Sequence, residues 1–230
     1  MIYVYAITDL SAPPALSAGG IDGLPLLLHR VERVGALCSE HEGAQLAPTA
    51  ERIWQHEKVV EAAMEFGAVL PVRFGSCFAD RMLLDDLLAK NGSLIQAAMH
   101  HVRGRVEMGV RLIDTLNNRA EAQDPSSPRN GREYLLRRAA QERCLDARRE
   151  KAVALHDELS AAAFDARMRA SAADVLLSGA YLIARDRIDE FRRRVHRISG
   201  AHPDMRIVAT GPWPPHHFVP ALQLKEHCHA

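Results

Sequence analysis

The sequence lacks most features by which common function classes are first recognised. Its 29 basic and 29 acidic residues cancel, whereas nucleic-acid-binding domains normally carry a basic excess. No basic-then-apolar leader opens the chain, and no apolar run approaches the roughly 20 residues that a membrane-spanning helix requires. We therefore expect no nucleic-acid partner and no membrane span, and we expect the protein to work in the cytoplasm.

Metal ligands and paired cysteines are also scarce. The four cysteines, Cys38, Cys77, Cys144 and Cys228, form no Cys-x-x-Cys pair, which is typical of free thiols in a reducing compartment. The densest group of potential metal ligands is His216, His217, His227, Cys228 and His229. Its spacing fits no zinc pattern, so we expect neither a metal nor another cofactor.

Signatures of catalysis are missing as well. The chain contains no Gly-x-Ser-x-Gly, no His-Glu-x-x-His and no phosphate-binding loop that ends in Gly-Lys-Ser/Thr. Cys77 follows a predicted strand, and His56 lies one helix earlier, so a nucleophile pair is conceivable. A small buried thiol is the more common situation, and we expect no enzymatic activity.

The stretch with the clearest secondary-structure pattern runs from Gly67 to Asp80. Its apolar run (Val69, Leu70, Val72, Phe74) predicts a buried strand, in which Pro71 favours an edge or a bulge because it lacks a backbone donor. Asp80 is predicted to cap a following helix. Arg73 places a guanidinium within this run, which is tolerated only if the group is paired or reaches water. We expect either an ion pair with an acidic side chain such as Glu57 or Glu61, or a contact with another protein.

β-Branched and aromatic residues predict a strand at residues 2–8, and two further strands are predicted at 24–30 and 34–39, close enough to form a hairpin. A helix that opens at Pro48 follows them, and Asn91-Gly92-Ser93 restarts a helix to about His101. This order of three strands, helix, strand and helix is compatible with a ferredoxin-like antiparallel sheet whose helices cover one face. A β-meander with helices is the alternative. We predict a first domain over residues 1–102.

The remaining residues, 103–230, are predicted to form a second α+β domain. It has strands at 104–114, 174–184 and 205–210, a loop at 117–131 that we expect to be mobile, and a polar tail from Lys225. Residues 133–168 predict one long helix, or two that break near Ser160. A helix over 186–198 with Asp186 as its cap carries the densest basic cluster, which is interpreted as a solvated face or a patch for an acidic partner. The turn Gly211-Pro-Trp-Pro-Pro215 follows the last strand.

Two motifs resemble a known family. The wording Leu70-Pro-Val-Arg-Phe-Gly75 after a helix with His56-Glu-Lys-Val-Val60 resembles the GvpL/GvpF gas vesicle proteins, as does Thr210-Gly-Pro-Trp-Pro-Pro-His-His-Phe-Val219. The family usually has tyrosine where this chain has His216. Looser matches lie at Ile2–Ile7 and at Arg132–Leu135, so the resemblance covers most of the chain. It also supports the ferredoxin-like version of the first domain.

The resemblance implies an accessory or minor structural protein of the gas vesicle, a gas-filled, protein-walled organelle in the cytoplasm of prokaryotes. The implied partner is the hydrophobic shell protein GvpA, whose aggregation this protein would limit during vesicle nucleation or growth, and other accessory gas vesicle proteins are further partners. A small-ligand-binding or enzymatic protein is the alternative, because a fold does not fix a function. The candidate structural or partner-contact residues are Pro71, Arg73, Phe74, Gly75, Trp213, Pro214, Pro215 and Phe218.

Overall fold

The computed structural model describes residues 1–16, 19–43, 45–114, 130–169 and 175–221, with Arg169 described by its backbone alone. Contacts between Cα atoms divide the chain into two units. The first contains residues 1–106 and the described residues from Trp213 onward, and the second is Glu107–Pro212. The predicted boundary after residue 102 stays a prediction, but the described residues from Trp213 onward group with the first unit and not with the second.

The first unit is built on an antiparallel sheet. Its elements are β1 (Ile2–Thr8), β2 (Leu27–Val31), β3 (Val34–Glu40), α1 (Ala50–Met64), β4 (Val69–Pro71), β5 (Cys77–Phe78), α2 (Arg81–Lys90) and α3 (Gly92–Val102). The strand order is β2-β3-β1-β4, and β5 also pairs with β1. The predicted β2–β3 hairpin is confirmed by antiparallel pairing from Leu27–Cys38 to Val31–Val34.

Helix starts in this unit follow ordinary capping chemistry. The Thr49 side chain accepts a hydrogen bond from the Arg52 amide at the start of α1, and Asp80 accepts one from the Leu83 amide at the start of α2. The predicted cap at Asp80 is thereby confirmed. All seven residues of β1 are buried, so this strand forms the centre of the core.

The second unit contains a four-stranded sheet of order β7-β8-β6-β9. Its elements are β6 (Arg105–Asp114), α4 (Gly131–Ser160), β7 (Asp165–Arg169), β8 (Val175–Ala184), α5 (Ile188–Ala201) and β9 (Met205–Trp213). A core of Met108, Leu112, Leu155, Tyr181, Phe191 and similar apolar residues joins this sheet to α4 and α5.

The predicted α+β class with antiparallel sheets is confirmed, but the ferredoxin-like connectivity occurs in the second unit. There the elements follow the order βαββαβ that defines this motif, with the matching strand order. In the first unit, β1, β2 and β3 follow one another with only a short 3₁₀ turn, Ile21–Gly23, among the described residues between them. The first unit therefore differs from the ferredoxin-like motif because, among its described residues, no crossover helix follows β1.

Three local predictions are wrong. Residues 165–169 form a strand that pairs with β8 (Arg167 opposite Ala180), because sheet pairing overrides their helical propensity. Asp186 does not cap α5, since a 3₁₀ turn at Arg185–Arg187 precedes the helix and its first residue is Ile188. The last strand continues through Trp213, so Gly211 and Pro212 belong to it. Residues 117–129 of the loop predicted at 117–131 lie outside the described residues, as does the polar tail, whereas Asn130 caps α4 and Gly131 begins it.

Within the described part of the chain, no helix is both long and apolar enough to cross a lipid bilayer.

Candidate functional site

The family-like stretch runs along one side of β1. Strand β4 pairs with Ala6–Thr8 and β5 pairs with Ile2 and Tyr3. Between them the ladder continues: the Val72 amide donates to the Tyr5 carbonyl (3.0 Å), and the Val4 amide donates to the Ser76 carbonyl (2.9 Å). Pro71 is buried at the end of β4, an edge strand, where the lack of a proline N–H is tolerated.

Residues Arg73–Ser76 bulge out of this edge as a tight turn. The Ser76 amide and hydroxyl both donate to the Arg73 carbonyl, at 3.2 and 2.8 Å, and Gly75 has a φ of +91°. Arg73 and Gly75 are therefore exposed, whereas Phe74 is half-buried. The turn presents the guanidinium of Arg73 to solvent and holds the Phe74 ring against the core.

The predicted ion pair of Arg73 is wrong. Among the described residues, no carboxylate lies within ion-pairing distance of its guanidinium. Glu57 pairs with His216 instead, and Glu61 lies 3.8 Å from Lys58. The alternative, that Arg73 contacts another protein, stays a prediction.

A buried imidazole joins β1, α1 and the edge stretch. Since a carbonyl oxygen can only accept, His56 Nε2 donates to the Val72 carbonyl at 3.0 Å. His56 Nδ1 therefore accepts the hydroxyl proton of Tyr3 at 2.8 Å, and the Tyr3 oxygen accepts from the Gly75 amide at 3.4 Å. This chain of hydrogen bonds reaches from the core to the exposed turn.

A second chain of buried polar groups lies on the other side of Tyr3. The Tyr5 hydroxyl is 2.7 Å from Ser39 Oγ, which is 2.8 Å from Nε2 of His41. The Ile21 amide donates to the Tyr5 oxygen at 2.9 Å. Because each of these groups has a partner, the cost of burying them is offset.

The rings of these residues form one aromatic cluster. The Tyr3 ring meets those of Tyr5, His41, His56 and Phe74 edge to face, with centroids 4.9 to 5.8 Å apart. His56 stacks on Tyr5 at 5.6 Å with an interplanar angle of 29°. These separations are those of favourable aromatic pairs, so the cluster fixes the position of Phe74 and of the turn that contains it.

Burial keeps these groups neutral. It lowers the pKa of His56 and of His41 below the usual imidazole value, and it raises the pKa of Tyr3 and Tyr5. Both His56 nitrogens are engaged, by Tyr3 and by Val72, so neither remains to take a proton from Cys77. The arrangement suits a structural role and does not assemble the conceivable Cys77–His56 nucleophile pair.

From Trp213 onward, the second family-like motif belongs to the first unit. Pro214, Pro215 and Phe218 are buried, and the Phe218 ring lies 6.5 Å from that of His101. His216 Nε2 lies 3.2 Å from Glu57 Oε2, and this contact lowers the pKa of Glu57. The segment is thus tied to α1, and the His216 departure from the family's tyrosine is used in an ion pair.

Large apolar side chains are exposed on both elements that the contact between Glu57 and His216 joins. Ile53 and Trp54, 41% and 62% exposed, lie on α1 one turn before Glu57, and Trp213, 43% exposed, lies three residues before His216. Lys58 Nζ is 5.1 Å from the centroid of the Trp54 ring. We call Ile53, Trp54 and Trp213 the aromatic surface.

A broad cleft of about 870 Å³ also opens on the first unit. Its walls include Asp22, Arg52, Glu40 and Arg81, which form two ion pairs at 2.8 Å, and none of Arg73, His56 and Cys77 lines it. Ligand pockets are usually lined mainly by apolar groups with a few converging polar ones. The cleft therefore gives the small-ligand alternative little support.

Metal binding has no geometric support in the described residues, where no group of three or more His, Cys, Asp or Glu side chains is arranged to hold an ion. His227, Cys228 and His229 lie outside them. Cys38 and Cys77 are buried, and burial raises the pKa of Cys38 to about 11, which leaves that thiol unreactive.

Comparison with known proteins agrees with the motif resemblance. The family model described as "Gas vesicle synthesis protein GvpL/GvpF" matches residues 1–220. The chain belongs to the GvpL/GvpF family. It is 31% identical to gas vesicle protein L of a Streptomyces strain, with 94% of this chain and 92% of the relative covered. It is 26% identical to gas vesicle protein F2 of Halobacterium salinarum, with 95% and 91% covered.

Solved structures of the GvpL/GvpF family share the fold. The crystal structure of the gas vesicle protein GvpF from Anabaena superposes with a TM-score of 0.82 at 21% identity, covering 95% of this chain and 98% of that one. GvpF from Microcystis aeruginosa gives 0.79 at 21% identity, with the same coverage. The predicted family is confirmed, and with it an accessory role in the gas vesicle and an association with that organelle.

Sequence reasoning missed the polar network of Tyr3, Tyr5, Ser39, His41 and His56. One signal was available: Tyr3 and Tyr5 lie two residues apart in a predicted strand and so share a face. His56 also shares a helical face with Val59, Val60 and Ala63, all buried. A histidine among buried apolar positions indicates a buried partner, but not which one.

Proposed function

We propose that this protein binds the gas vesicle shell protein GvpA and limits its aggregation during vesicle nucleation or growth. A small, hydrophobic shell subunit exposes apolar surface before it polymerises, and such surface must be covered to stay in solution. Membership in the GvpL/GvpF family supports a role in the gas vesicle. The exposed side chains of the aromatic surface are the reason for placing the GvpA contact there.

The aromatic surface has the character of a binding anchor. Ile53 and Trp54 are exposed on α1 one turn before Glu57, Trp213 is exposed three residues before His216, and the contact between His216 and Glu57 joins these two elements. Tryptophan is enriched among the residues that contribute most to protein–protein binding. A rigid support reduces the entropy lost on binding, because the side chains are already positioned.

Edge pairing with the partner is the less favoured mode. Pro71 withholds an amide from the β4 edge, and the turn Arg73–Ser76 interrupts it after only three strand residues. Such edges resist the addition of a further strand. We therefore assign the contact to side chains of α1 and Trp213, with Arg73 and Phe74 as neighbouring structural or contact residues.

The test is an aggregation assay on GvpA diluted from denaturant, followed by light scattering, together with pull-down of GvpA by the tagged protein. We expect the wild-type protein to reduce scattering, and Trp54→Ala and Trp213→Ala each to weaken binding by roughly thirtyfold, the effect of losing one dominant anchor.

Phe66→Ala provides the matched control, because Phe66 is 70% exposed but follows α1 outside the aromatic surface. Circular dichroism of each variant confirms folding. The proposal fails if the wild-type protein neither binds GvpA nor lowers its scattering. Equal losses for Phe66→Ala and Trp54→Ala would remove the assignment to the aromatic surface.

A further inference from the structure

The arginines in α5 and in the turn just before it differ in how fully they are neutralised. Arg187 makes a two-point contact with Glu190 at 3.0 and 2.9 Å. Arg192 donates to the Gly211 carbonyl at 3.1 Å and lies 3.8 Å from Asp189. Arg194 has only a long contact, with Nε 3.8 Å from Glu158 Oε1. The Arg197 guanidinium has no hydrogen bond or ion pair with any residue that the structure describes.

These two under-neutralised arginines meet at a cavity. A space of about 130 Å³ beside α5 is lined by Ala162, Arg187, Glu190, Phe191, Arg194 and Arg197. Glu190, Arg194 and Arg197 recur at four- and three-residue spacing, so they share one face of α5, and Arg187 lies in the turn just before the helix. Three guanidinium groups and one carboxylate leave the lining with an excess of positive charge. We call this cavity the arginine pocket.

One donor in the arginine pocket is unsatisfied. Arg194 Nε is buried and has no hydrogen-bond partner among the described residues, because 3.8 Å to Glu158 exceeds hydrogen-bonding distance. A buried donor without an acceptor is costly, and native structures rarely keep one without a reason. Nε itself is buried, but the Arg194 side chain as a whole is 35% exposed, so its guanidinium group is open to an external acceptor.

We infer that the arginine pocket binds a carboxylate side chain from an acidic segment of a partner protein. The planar fork of arginine matches a carboxylate at two points, as the Arg187–Glu190 contact already demonstrates inside this pocket. Ala162 and Phe191 supply an apolar wall for the methylene stem of the side chain, which an inorganic anion lacks. The cavity is too small for a typical ligand of several hundred Å³.

Fluorescence anisotropy with a labelled hexaglutamate peptide tests this inference at about 50 mM salt, where screening is weak. We expect Arg194→Gln and Arg197→Gln to weaken binding by about tenfold or more, because each removes a charged hydrogen-bond donor. Arg194→Lys retains the charge but not the fork, and we expect it to weaken binding as well. Arg193→Gln is the matched control, since Arg193 is exposed on the same helix and does not line the pocket.

Three results would overturn the inference. The first is the absence of peptide binding by the wild-type protein. The second is an equal loss for Arg193→Gln and Arg194→Gln, which would indicate non-specific attraction. The third is displacement of the peptide by inorganic phosphate at lower concentration than by free glutamate, which would assign the pocket to a small anion. None of these outcomes depends on binding to GvpA, because the probe contains no shell protein.

Discussion

The hydroxyl group of Tyr3 donates to Nδ1 of His56 across 2.8 Å, and this bond connects the central strand to the first helix. The other nitrogen of the same imidazole donates to the Val72 carbonyl, just before the exposed Arg73. The neutral His56 side chain thus forms hydrogen bonds to both β1 and the edge stretch. Its bond to Val72 holds the residue from which the turn with Arg73, Phe74 and Gly75 begins. Contacts with the core, through Val72 and the Phe74 ring, thus position the turn.

Replacing His56 tests this dependence. We expect His56→Ala to lower the free energy of unfolding by about 3 kcal/mol, because it opens a cavity and leaves the Tyr3 hydroxyl and the Val72 carbonyl without partners. Tyr3→Phe removes one hydroxyl and should cost about 1 kcal/mol. Urea denaturation followed by circular dichroism measures both.

The exposed His100 provides the control for His56, and His100→Ala should change stability by less than about 0.5 kcal/mol. A double-mutant cycle of His56→Ala with Tyr3→Phe should show that the two effects are not additive, because the residues share one bond. Strict additivity would contradict the assigned hydrogen bond.

The buried histidines predict how stability depends on pH. Burial holds the pKa of His56, His41 and His156 below the unfolded value of 6.5, so the unfolded chain binds more protons as the pH falls. The free energy of unfolding should therefore change little between pH 8 and about pH 7 and decrease once the pH falls below about 6.5. Urea midpoints between pH 8 and pH 5 measure this decrease.

His56→Gln isolates the contribution of one imidazole. Glutamine offers a donor and an acceptor but does not titrate, so we expect this variant to lose less stability between pH 8 and pH 5 than the wild-type protein. An unchanged pH dependence in His56→Gln would show that His56 does not protonate on unfolding in this range.

The turn at Gly75 makes a prediction about backbone conformation. Its φ of +91° disfavours any side chain, although a Cβ there would meet nothing within 4 Å. Gly75→Ala should therefore cost about 1 kcal/mol through conformation alone. Gly92→Ala is the control, because Gly92 begins α3 with equally open space and no positive φ, and it should be neutral or slightly stabilising. A thermal melt of both variants decides between conformational and steric explanations.

Local chemistry made much of the first unit predictable. The β-branched and aromatic residues at 2–8 predicted the correct bounds of β1, the hairpin of β2 and β3 followed from adjacent strand candidates, and Asp80 was identified as a cap. Each depends on interactions within a few residues of the chain. The family-like motifs predicted the association with the gas vesicle, which no local secondary-structure pattern could indicate.

Long-range partners were not predictable in the same way. Residues 165–169 have helical composition, yet pairing with β8 makes them a strand. For Arg73 the sequence offered an ion pair with an acidic side chain such as Glu57 or Glu61, yet Glu57 contacts His216, which lies more than 150 positions away. Many acidic residues could satisfy one arginine, and only the folded chain selects among them. The arginine pocket is a similar case, since the sequence showed the basic cluster but not which of its members lack partners.

The ion pair between Arg148 and Asp114 anchors α4 to β6, and it should be far more important than exposed pairs. The atoms are 2.6 Å apart, and the Asp114 side chain is only 5% exposed. Asp114→Ala leaves a partly buried guanidinium without this partner, so we expect a loss of about 3 kcal/mol. Asp86→Ala, which breaks the exposed contact with Lys90 at 2.9 Å, should cost less than about 1 kcal/mol. Chemical denaturation of both variants measures the contrast, and equal losses would show that burial of Asp114 adds nothing to the strength of its ion pair.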